Sequence, residues 1–519
     1  MKTRVERRIS ILIPLLLLHL SMMRPVCLFA QVNLSVDQLI STAVENNPQI
    51  KVSYQNLEFS RGSFRVARSG FNTNILLNGL NSKNVISSSL GEPASSIDQN
   101  FWSYSLGASR KFAFGTIVTP SFAVVNSGST APNSDNIELP VNQGTAFINL
   151  EQPLLRGLGT SYNLAELRVA ELGISSQEHR YLFDASSLLL DVMSSYVEYI
   201  SARLNLQIQQ DTEASMAETV RQMDRLVELD AIPGSELVVS QANLANQQTN
   251  TAIAENRYAL AQNSLATTLG IPVSDLRNMG EPPLFYPMES SVIKVDEVYT
   301  NSWISQSLTM RHDFLATTND VEASEITLDF SQKGMLPRLN LTMGAGYNGL
   351  YQAQSFDQFY RPYFSNVPGM SYSLGLSFDI APRYDLQKGR RIQALALKDA
   401  ADANIRFLEL QISKEVRRDC DQLKFFLGAT QHVNEAVEFY KESLKNEKKK
   451  LELGSSTAFN VALMQNNYLN ALERQNALLQ QLNQAILQFK YHTGTLVDAS
   501  GNSSFSVNSG LLFVLPVAP

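Results

Sequence analysis

Cysteine is nearly absent from this chain, with two in 519 residues. Cys27 lies in an N-terminal segment that we expect to be removed, so Cys420 would be the only thiol of the mature chain. An intrachain disulfide then has no partner cysteine. The residue before Cys27 is Val26 rather than the small residue expected before a lipid-modified cysteine, so lipidation is the less favoured alternative. The folded chain must therefore rest on packing or on assembly.

Long hydrophobic runs are also missing after residue 30, which argues against a membrane-spanning helix in that part of the chain. Residues 1–30 have a basic start, an apolar stretch at 9–20 and Ala30 before the expected cleavage point, a pattern that predicts a signal peptide. An exported chain without an apolar helix enters a membrane only as a closed β-barrel.

Positive charge is scarce, since the formal net charge is −7. Removal of residues 1–30, which hold five basic residues and one acidic residue, makes the chain more acidic. This balance argues against nucleic acid as a partner. The mature histidines are widely scattered along the chain, and no phosphate-binding loop occurs. We therefore expect no enzyme, no cofactor and no metal site.

Helix breakers are missing from two long segments. Residues 160–229 and 390–453 contain no proline and one interior glycine each. About 60 residues at about 1.5 Å per residue form a helix of roughly 90 Å, which is typical of coiled coils. Shorter returning helices are predicted at about 236–268 and 458–492.

A second pattern has a period of two residues. In 337–347 and 370–380, apolar residues alternate with small polar ones. This alternation is typical of a transmembrane barrel strand, and the alternative is a soluble sandwich strand with one buried face. Aromatic residues crowd 347–364, which favours a membrane interface. Further strands are predicted at 73–83, 101–112, 116–125 and 144–153. Whether a protomer supplies four or six strands to the barrel stays open.

The two halves of the chain echo each other. Residues 226–270 match residues 450–494 without a gap at a shift of 224, with seven identities in 45 positions. The echo is longer than one solenoid unit and predicts a duplicated half-protein. In chain order we predict the signal peptide 1–30, a first repeat 31–270, a linker 271–294 whose prolines exclude helix, a second repeat 295–494 and an extended tail 495–519.

The segment Glu151-Gln152-Pro153-Leu154-Leu155-Arg156-Gly157 and the two helix-turn-helix tips are local marks of a family. With the duplicated order of elements, the chain resembles the TolC-like outer-membrane efflux proteins of diderm bacteria over essentially its whole mature length. The resemblance implies a mixed fold and a homotrimer. Long α-helical coiled-coil hairpins would form a periplasmic α-barrel, and antiparallel strands would form a transmembrane β-barrel in outer-membrane lipid.

The same resemblance implies a passive exit channel of a tripartite efflux or type I secretion system, located in the cell outer membrane with a large periplasmic portion. A periplasmic adaptor and an inner-membrane transporter would be its partners. The cargo, whether drug, metal ion or polypeptide, is not determined by this chain. The alternative is a structural periplasmic coiled-coil protein or an adaptor without a channel, although an adaptor would have one hairpin flanked by compact β-domains.

The resemblance places adaptor docking and the periplasmic gate at the helix tips. Glu236 stands at a position where the family contributes an acidic residue to the closed constriction. Three such carboxylates would ring the entrance and favour cations, with Asn460 donating a hydrogen bond to Glu236. The alternative is that Glu236 is a helix N-terminal residue stabilised by the helix dipole. The family's basic gate partner is Ser456 here, so a salt-bridge lock does not carry over. The candidate gate residues are Glu236, Asn460 and Asp230, and the candidate adaptor-docking residues are Val227, Leu229, Ala231, Leu453, Gly454 and Ser455.

Overall fold

The structure is a computed structural model. It describes residues 34–88, 95–130, 141–229, 233–287, 295–352, 358–364, 369–453, 455–499 and 505–515. The predicted signal peptide lies outside the described residues.

Long helices and one large sheet dominate the described chain. The helices are α1 (Val36–Asn46), α2 (Pro48–Ser69), α3 (Thr160–Asn163), α4 (Ala165–Glu228), α5 (Gly234–Leu269), α6 (Val273–Met279), α7 (Glu297–Met310), α8 (His312–Lys333), α9 (Asp385–Glu452) and α10 (Ala458–Thr493). The strands are β1 (Asn74–Ser88), β2 (Ser95–Lys111), β3 (Ile117–Thr130), β4 (Val141–Pro153), β5 (Arg338–Gln352), β6 (Gly369–Asp379), β7 (Asp498–Ala499) and β8 (Phe505–Ser506). Two short 3₁₀ turns lie at Arg361–Phe364 and Ser509–Leu511.

The predicted long helices and returning helices are confirmed. α4 has 64 residues and α9 has 68, because neither segment contains a proline that would remove a backbone donor. α5 and α10 have 36 residues each and begin 224 residues apart. Each ends at a glycine in the left-handed region, Gly270 at φ +74° and Gly494 at φ +73°, a conformation that costs other residues strain.

The two C-terminal glycines pack in the same way. A Cβ at Gly270 would lie 3.0 Å from the Asn46 carbonyl oxygen, and one at Gly494 would lie 2.9 Å from the Met310 carbonyl carbon. Each glycine therefore lets a returning helix end directly against the backbone where two shorter helices meet.

Side chains at these two junctions make matching hydrogen bonds. Asn47 donates its side-chain N–H to the Thr268 carbonyl at 2.8 Å, and Arg311 donates to the His492 carbonyl at 3.5 Å. The two acceptors stand 224 residues apart, which is the shift already seen in the sequence.

One prediction for the linker is wrong. Residues 271–294 were expected to contain no helix, yet α6 occupies Val273–Met279. Pro272 precedes this helix at its N-cap, where a missing N–H costs no intrahelical hydrogen bond. Proline therefore starts a helix here.

The chain divides into two compact units. The first comprises residues 1–47, 191–289 and 426–484, and the second comprises residues 48–190, 290–425 and 485–519. Each unit thus combines segments of both halves of the sequence. Among the described helices, none is both long enough and apolar enough to cross a membrane.

The second unit contains a six-stranded antiparallel sheet in the order β1-β2-β3-β4-β5-β6. All six predicted strand positions are confirmed, and each of β1 to β5 extends beyond one of its predicted ends. In this sheet the open choice between four and six strands is settled at six.

One face of the sheet is largely apolar from β3 to β6. Opposite residues in the register share a face, and Leu374 faces Met343, which faces Leu150, which faces Val118. Leu374 is 78% exposed. Over these strands the other face carries mainly small and polar side chains, such as Ser373 opposite Gly344, together with Phe147 beside Gly344.

A buried ionic cluster joins three helices of the second unit. Arg311, 4% exposed, lies between α7 and α8 and forms ion pairs of 2.6 Å with Asp313 and with Glu415 of α9. Burial alone would lower the pKa of Arg311, but its hydrogen bonds to the two carboxylates raise it above the ordinary value. His492 of α10 contacts the buried Asp419 of α9 at 2.5 Å. The cluster thereby ties the α7–α8 junction and the end of α10 to α9.

Two histidines meet elsewhere in the second unit. The Nδ1 atoms of His179 in α4 and His312 in α8 are 3.2 Å apart, with ring centroids 5.4 Å apart and planes 23° from parallel. The rings therefore meet nitrogen to nitrogen, and one neutral imidazole donates its N–H to the other. Burial lowers the pKa of both residues, and for His312 the neighbouring His179 lowers it further. Glu178 opposes the effect on His179, and Asp313 opposes it on His312.

This pair should make stability depend on pH. A base whose pKa is lowered by folding contributes stability above its unfolded-state pKa of about 6.5. That stability is lost as the pH falls through this value towards the folded-state pKa. We expect the thermal midpoint to fall between about pH 7 and pH 5, and His312→Gln should flatten this dependence. His432→Gln, at an 81% exposed side chain, should leave it unchanged, and an equal response of both variants would refute the assignment.

Candidate functional site

The candidate site lies where the long helices end and the returning helices begin, in the first unit. Around this tip, Met223 of α4 and Leu451 of α9 are buried together with Ala458 and Val461 of α10. Leu237 of α5 packs against the same cluster. The apolar contacts draw on all four helices and hold the two hairpin ends together.

Beyond this cluster the tip presents apolar side chains to solvent. Leu229 is 76% exposed and Leu453 is 75% exposed, and the two residues occupy equivalent positions in the two halves. Val227 is half-buried and Ser455 is exposed. The two leucines therefore offer apolar contacts at the surface of both hairpin ends. The other three tip candidates, Asp230, Ala231 and Gly454, lie outside the described residues.

Glu236 connects the two hairpins. It lies in the first turn of α5, and its Oε2 accepts a hydrogen bond of 3.2 Å from the backbone N–H of Ala458, the first residue of α10. The carboxylate therefore sits at two helix N-termini, where unpaired N–H groups and the helix dipole favour negative charge.

The hydrogen bond predicted between Asn460 and Glu236 is replaced by this backbone contact. The exposed Asn460 instead donates its backbone N–H to Thr457 Oγ1 at 3.4 Å and its side-chain N–H to Ser456 Oγ at 3.5 Å. Ser456 in turn donates to Glu447, and this bond, followed by that from Lys450, holds the pKa of Glu447 below its ordinary value. Asn460 belongs to a local cap of α10, because its own first turn offers nearer partners.

A seam of polar contacts runs along the helices behind the tip. Ser201 of α4 donates to Gln480 of α10 at 2.7 Å, and Gln209 donates to Glu473 at 2.6 Å. Lys448 of α9 donates to Ser215 of α4 at 2.7 Å, and burial lowers the pKa of this lysine. Polar pairs buried between helices lose their hydrogen bonds if one helix slides, so they fix the helix register.

The sequence contained one signal of this seam, the uncharged polar composition of the returning helices. It did not indicate the partners. Polar grooves of about 710 and 620 Å³ accompany the seam, and Arg257 and Glu473 line both. Among the described residues, no group of three His, Cys, Asp or Glu side chains is placed to hold a metal ion.

Comparison with known proteins adds two findings. Residues 303–495 match the family model described as outer membrane efflux protein. No curated protein matches the chain.

Solved structures match over most of the chain. The Campylobacter jejuni CmeC outer membrane channel is 15% identical with a TM-score of 0.63, covering 90% of this chain and 87% of its own. VceC of Vibrio cholerae, an outer membrane protein, is 15% identical with a TM-score of 0.63, and the match covers 88% of this chain and 95% of VceC. The Neisseria gonorrhoeae MtrE outer membrane channel in its open state is 14% identical with a TM-score of 0.59, and the match covers 88% of each chain. At these identities the likeness establishes the fold.

Proposed function

We propose that this chain, whose residues 303–495 match the outer membrane efflux protein family model, is the outer-membrane exit channel of an efflux system. The observation that carries the proposal is the sheet with one apolar and one polar face, whose strands lead directly into very long helical hairpins. The apolar face suits lipid, and the polar face suits a water-filled lumen. Such a channel is passive, and the chain is not an enzyme.

Closure of the sheet requires more than one copy. β1 and β6 are the two edges, each with one side free of any strand in the described residues. β1 runs away from the helix α2 that precedes it, whereas β6 runs towards the helix α9 that follows it. The two edge strands therefore run in opposite directions, and β6 of one copy would pair antiparallel with β1 of the next. An open edge in lipid is costly. Three copies, as the family resemblance implies, would close an 18-stranded β-barrel in the outer membrane, with the helical hairpins forming a periplasmic α-barrel.

The tips are the proposed docking surface for a periplasmic adaptor. Leu229 and Leu453 supply exposed apolar contacts at equivalent positions, and three copies would offer six such points. Asp230, Ala231 and Gly454 lie within two residues of these leucines in the sequence. An inner-membrane transporter, as the family resemblance implies, would supply the energy.

Glu236 is the proposed selectivity element of the gate. Its hydrogen bond to Ala458 fixes the carboxylate at the tip, so three copies would place three negative charges around one opening. Such a ring attracts cations and repels anions.

The proposed function is tested by inserting the purified protein into planar lipid bilayers. We expect discrete conductance steps with cation preference. Glu236→Gln keeps the size and the hydrogen bond of the side chain but removes its charge, and should reduce the cation preference. Glu228→Gln, an exposed change at the end of α4, is the matched control. Absence of conductance would overturn the channel, whereas an unchanged preference in Glu236→Gln would overturn only the ring.

A further inference from the structure

A cavity of about 470 Å³ lies beside the end of the sheet in the second unit. Its apolar wall includes Tyr162 of α3 and Phe330 of α8, whose ring centroids are 4.6 Å apart, and Leu386 and Leu397 of α9. Three guanidinium groups line the same cavity. They belong to Arg156 after β4, Arg338 at the start of β5 and Arg390 in α9.

These three arginines share a lack of acidic partners. In the part of the chain that the structure describes, no carboxylate forms an ion pair with any of them. Asp379 stands opposite Arg338 in the β5–β6 register but forms no ion pair with it. The nearby Lys333, by contrast, is paired with Asp329 at 2.5 Å. The cavity therefore carries three unneutralised positive charges.

The wider neighbourhood does not neutralise this charge. The end of β6 and the start of α9 add the basic residues Arg383, Lys388 and Arg391 and the acidic residues Asp379 and Asp385. A guanidinium has five N–H donors in a planar fork, which matches phosphate oxygens in pairs. Arginines that line one cavity without carboxylates favour a phosphate group as the bound anion.

We propose that this cavity binds the phosphate headgroup of a phospholipid, with the hydrocarbon part of the lipid against the apolar wall. A free phosphate would use the arginines but leave the exposed Leu386 and Leu397 uncovered. A lipid uses both parts of the cavity. The position of the cavity agrees with a lipid ligand. Arg338 is next to Leu339, and Leu339 and Phe378 form the last residue pair of the apolar face. The headgroup would lie at the edge of the lipid layer.

The lipid site depends on the proposed function only in requiring that the protein contacts a membrane. The affinity for a phospholipid is argued from the residues of the cavity, so the lipid site and the channel are tested separately on the same protein. The full-length protein is purified in detergent and exposed to phosphatidylglycerol or to diacylglycerol, which has the same tails but no phosphate. Retained lipid is then counted by native mass spectrometry. We expect phosphatidylglycerol to be retained and diacylglycerol to be lost.

The combined variant Arg156→Gln, Arg338→Gln, Arg390→Gln should lose the phospholipid. Each charge-assisted contact is worth about tenfold in affinity, so retention should fall at least about tenfold. Arg391→Gln is the matched control, because this exposed arginine lies one residue away on α9 and does not line the cavity. If the combined variant fails to fold by circular dichroism, Arg390→Gln alone, at an exposed side chain, should still lower retention.

Three results would overturn the proposal. They are equal retention by the wild-type protein and the combined variant, equal losses in the combined variant and Arg391→Gln, and displacement of phospholipid by millimolar inorganic phosphate. The first is expected if another copy of the chain fills the cavity. Conductance of the same samples separates the two proposals, since a conducting protein that retains no phospholipid refutes the lipid site and leaves the channel standing.

Discussion

Replacing Arg311 by methionine should lower the free energy of unfolding by about 3–5 kcal/mol. Arg311 is buried and holds Asp313 and Glu415 at 2.6 Å each. The variant keeps much of the side-chain volume but leaves both carboxylates without their cation. Because these acids are themselves largely buried, their desolvation is no longer offset by an ion pair. The change is measured as the denaturant midpoint of the detergent-solubilised protein, followed by circular dichroism.

Arg221→Met provides the matched control for this prediction. Arg221 forms an ion pair with Glu218 of 2.6 Å, similar to those of Arg311, but its side chain is 65% exposed. Exposed pairs contribute about 0–1 kcal/mol, so this variant should hardly change the midpoint. Comparable losses in both variants would show that the cluster of Arg311 does not depend on burial. Glu415→Gln should give an intermediate loss, because Arg311 keeps Asp313.

Placing arginine on the apolar face of the sheet should prevent stable insertion, whereas the same residue on the polar face should be tolerated. Leu374→Arg would hold a charge in lipid near the middle of β6, at a cost of about 2–4 kcal/mol per chain. Ser373→Arg lies at the same depth on the other face, opposite Gly344, where three copies would surround water. Because every copy in the assembly carries the substitution, this free-energy cost of insertion would be multiplied by the number of copies.

The measurement is the amount of each variant in the outer-membrane fraction, together with resistance of the assembly to dissociation in mild detergent. We expect Leu374→Arg to be depleted and Ser373→Arg to accumulate at wild-type levels with altered conductance. Depletion of Ser373→Arg alone would reverse the assignment of the two faces. Equal accumulation of both variants would indicate that neither face of the sheet contacts lipid.

Much of the fold was predictable because its signals are local. The absence of proline from 160–229 and 390–453 predicted α4 and α9, and period-two alternation predicted β5 and β6. The faces of β5 and β6 also followed from alternation, since a strand turns successive side chains to opposite sides. The helix α6 was missed because proline was taken only as a breaker.

The candidate site was less predictable. Glu236 was singled out by the family resemblance, and the alternative of a helix N-terminal role agrees better with its hydrogen bond to Ala458 than the predicted bond to Asn460 does. What the sequence could not indicate is that the relevant N-terminus includes that of α10, at Ala458, 222 residues away. The equivalence of the two tip leucines was predictable, because the 224-residue repeat aligns Leu229 with Leu453 in the sequence alone.

The sequence by itself determined the long helices, the six strands of the large sheet, the two faces of β5 and β6 and the correspondence between the halves, because each depends on residue type at regular spacings. Only the tertiary structure decided that the additional hairpin of β2 and β3 joins the sheet in chain order. It also brought Arg311 to Glu415 and lined one cavity with Arg156, Arg338 and Arg390. These contacts depend on the register between distant segments. That register is set by packing and buried polar pairs over the whole fold, and no local pattern encodes it.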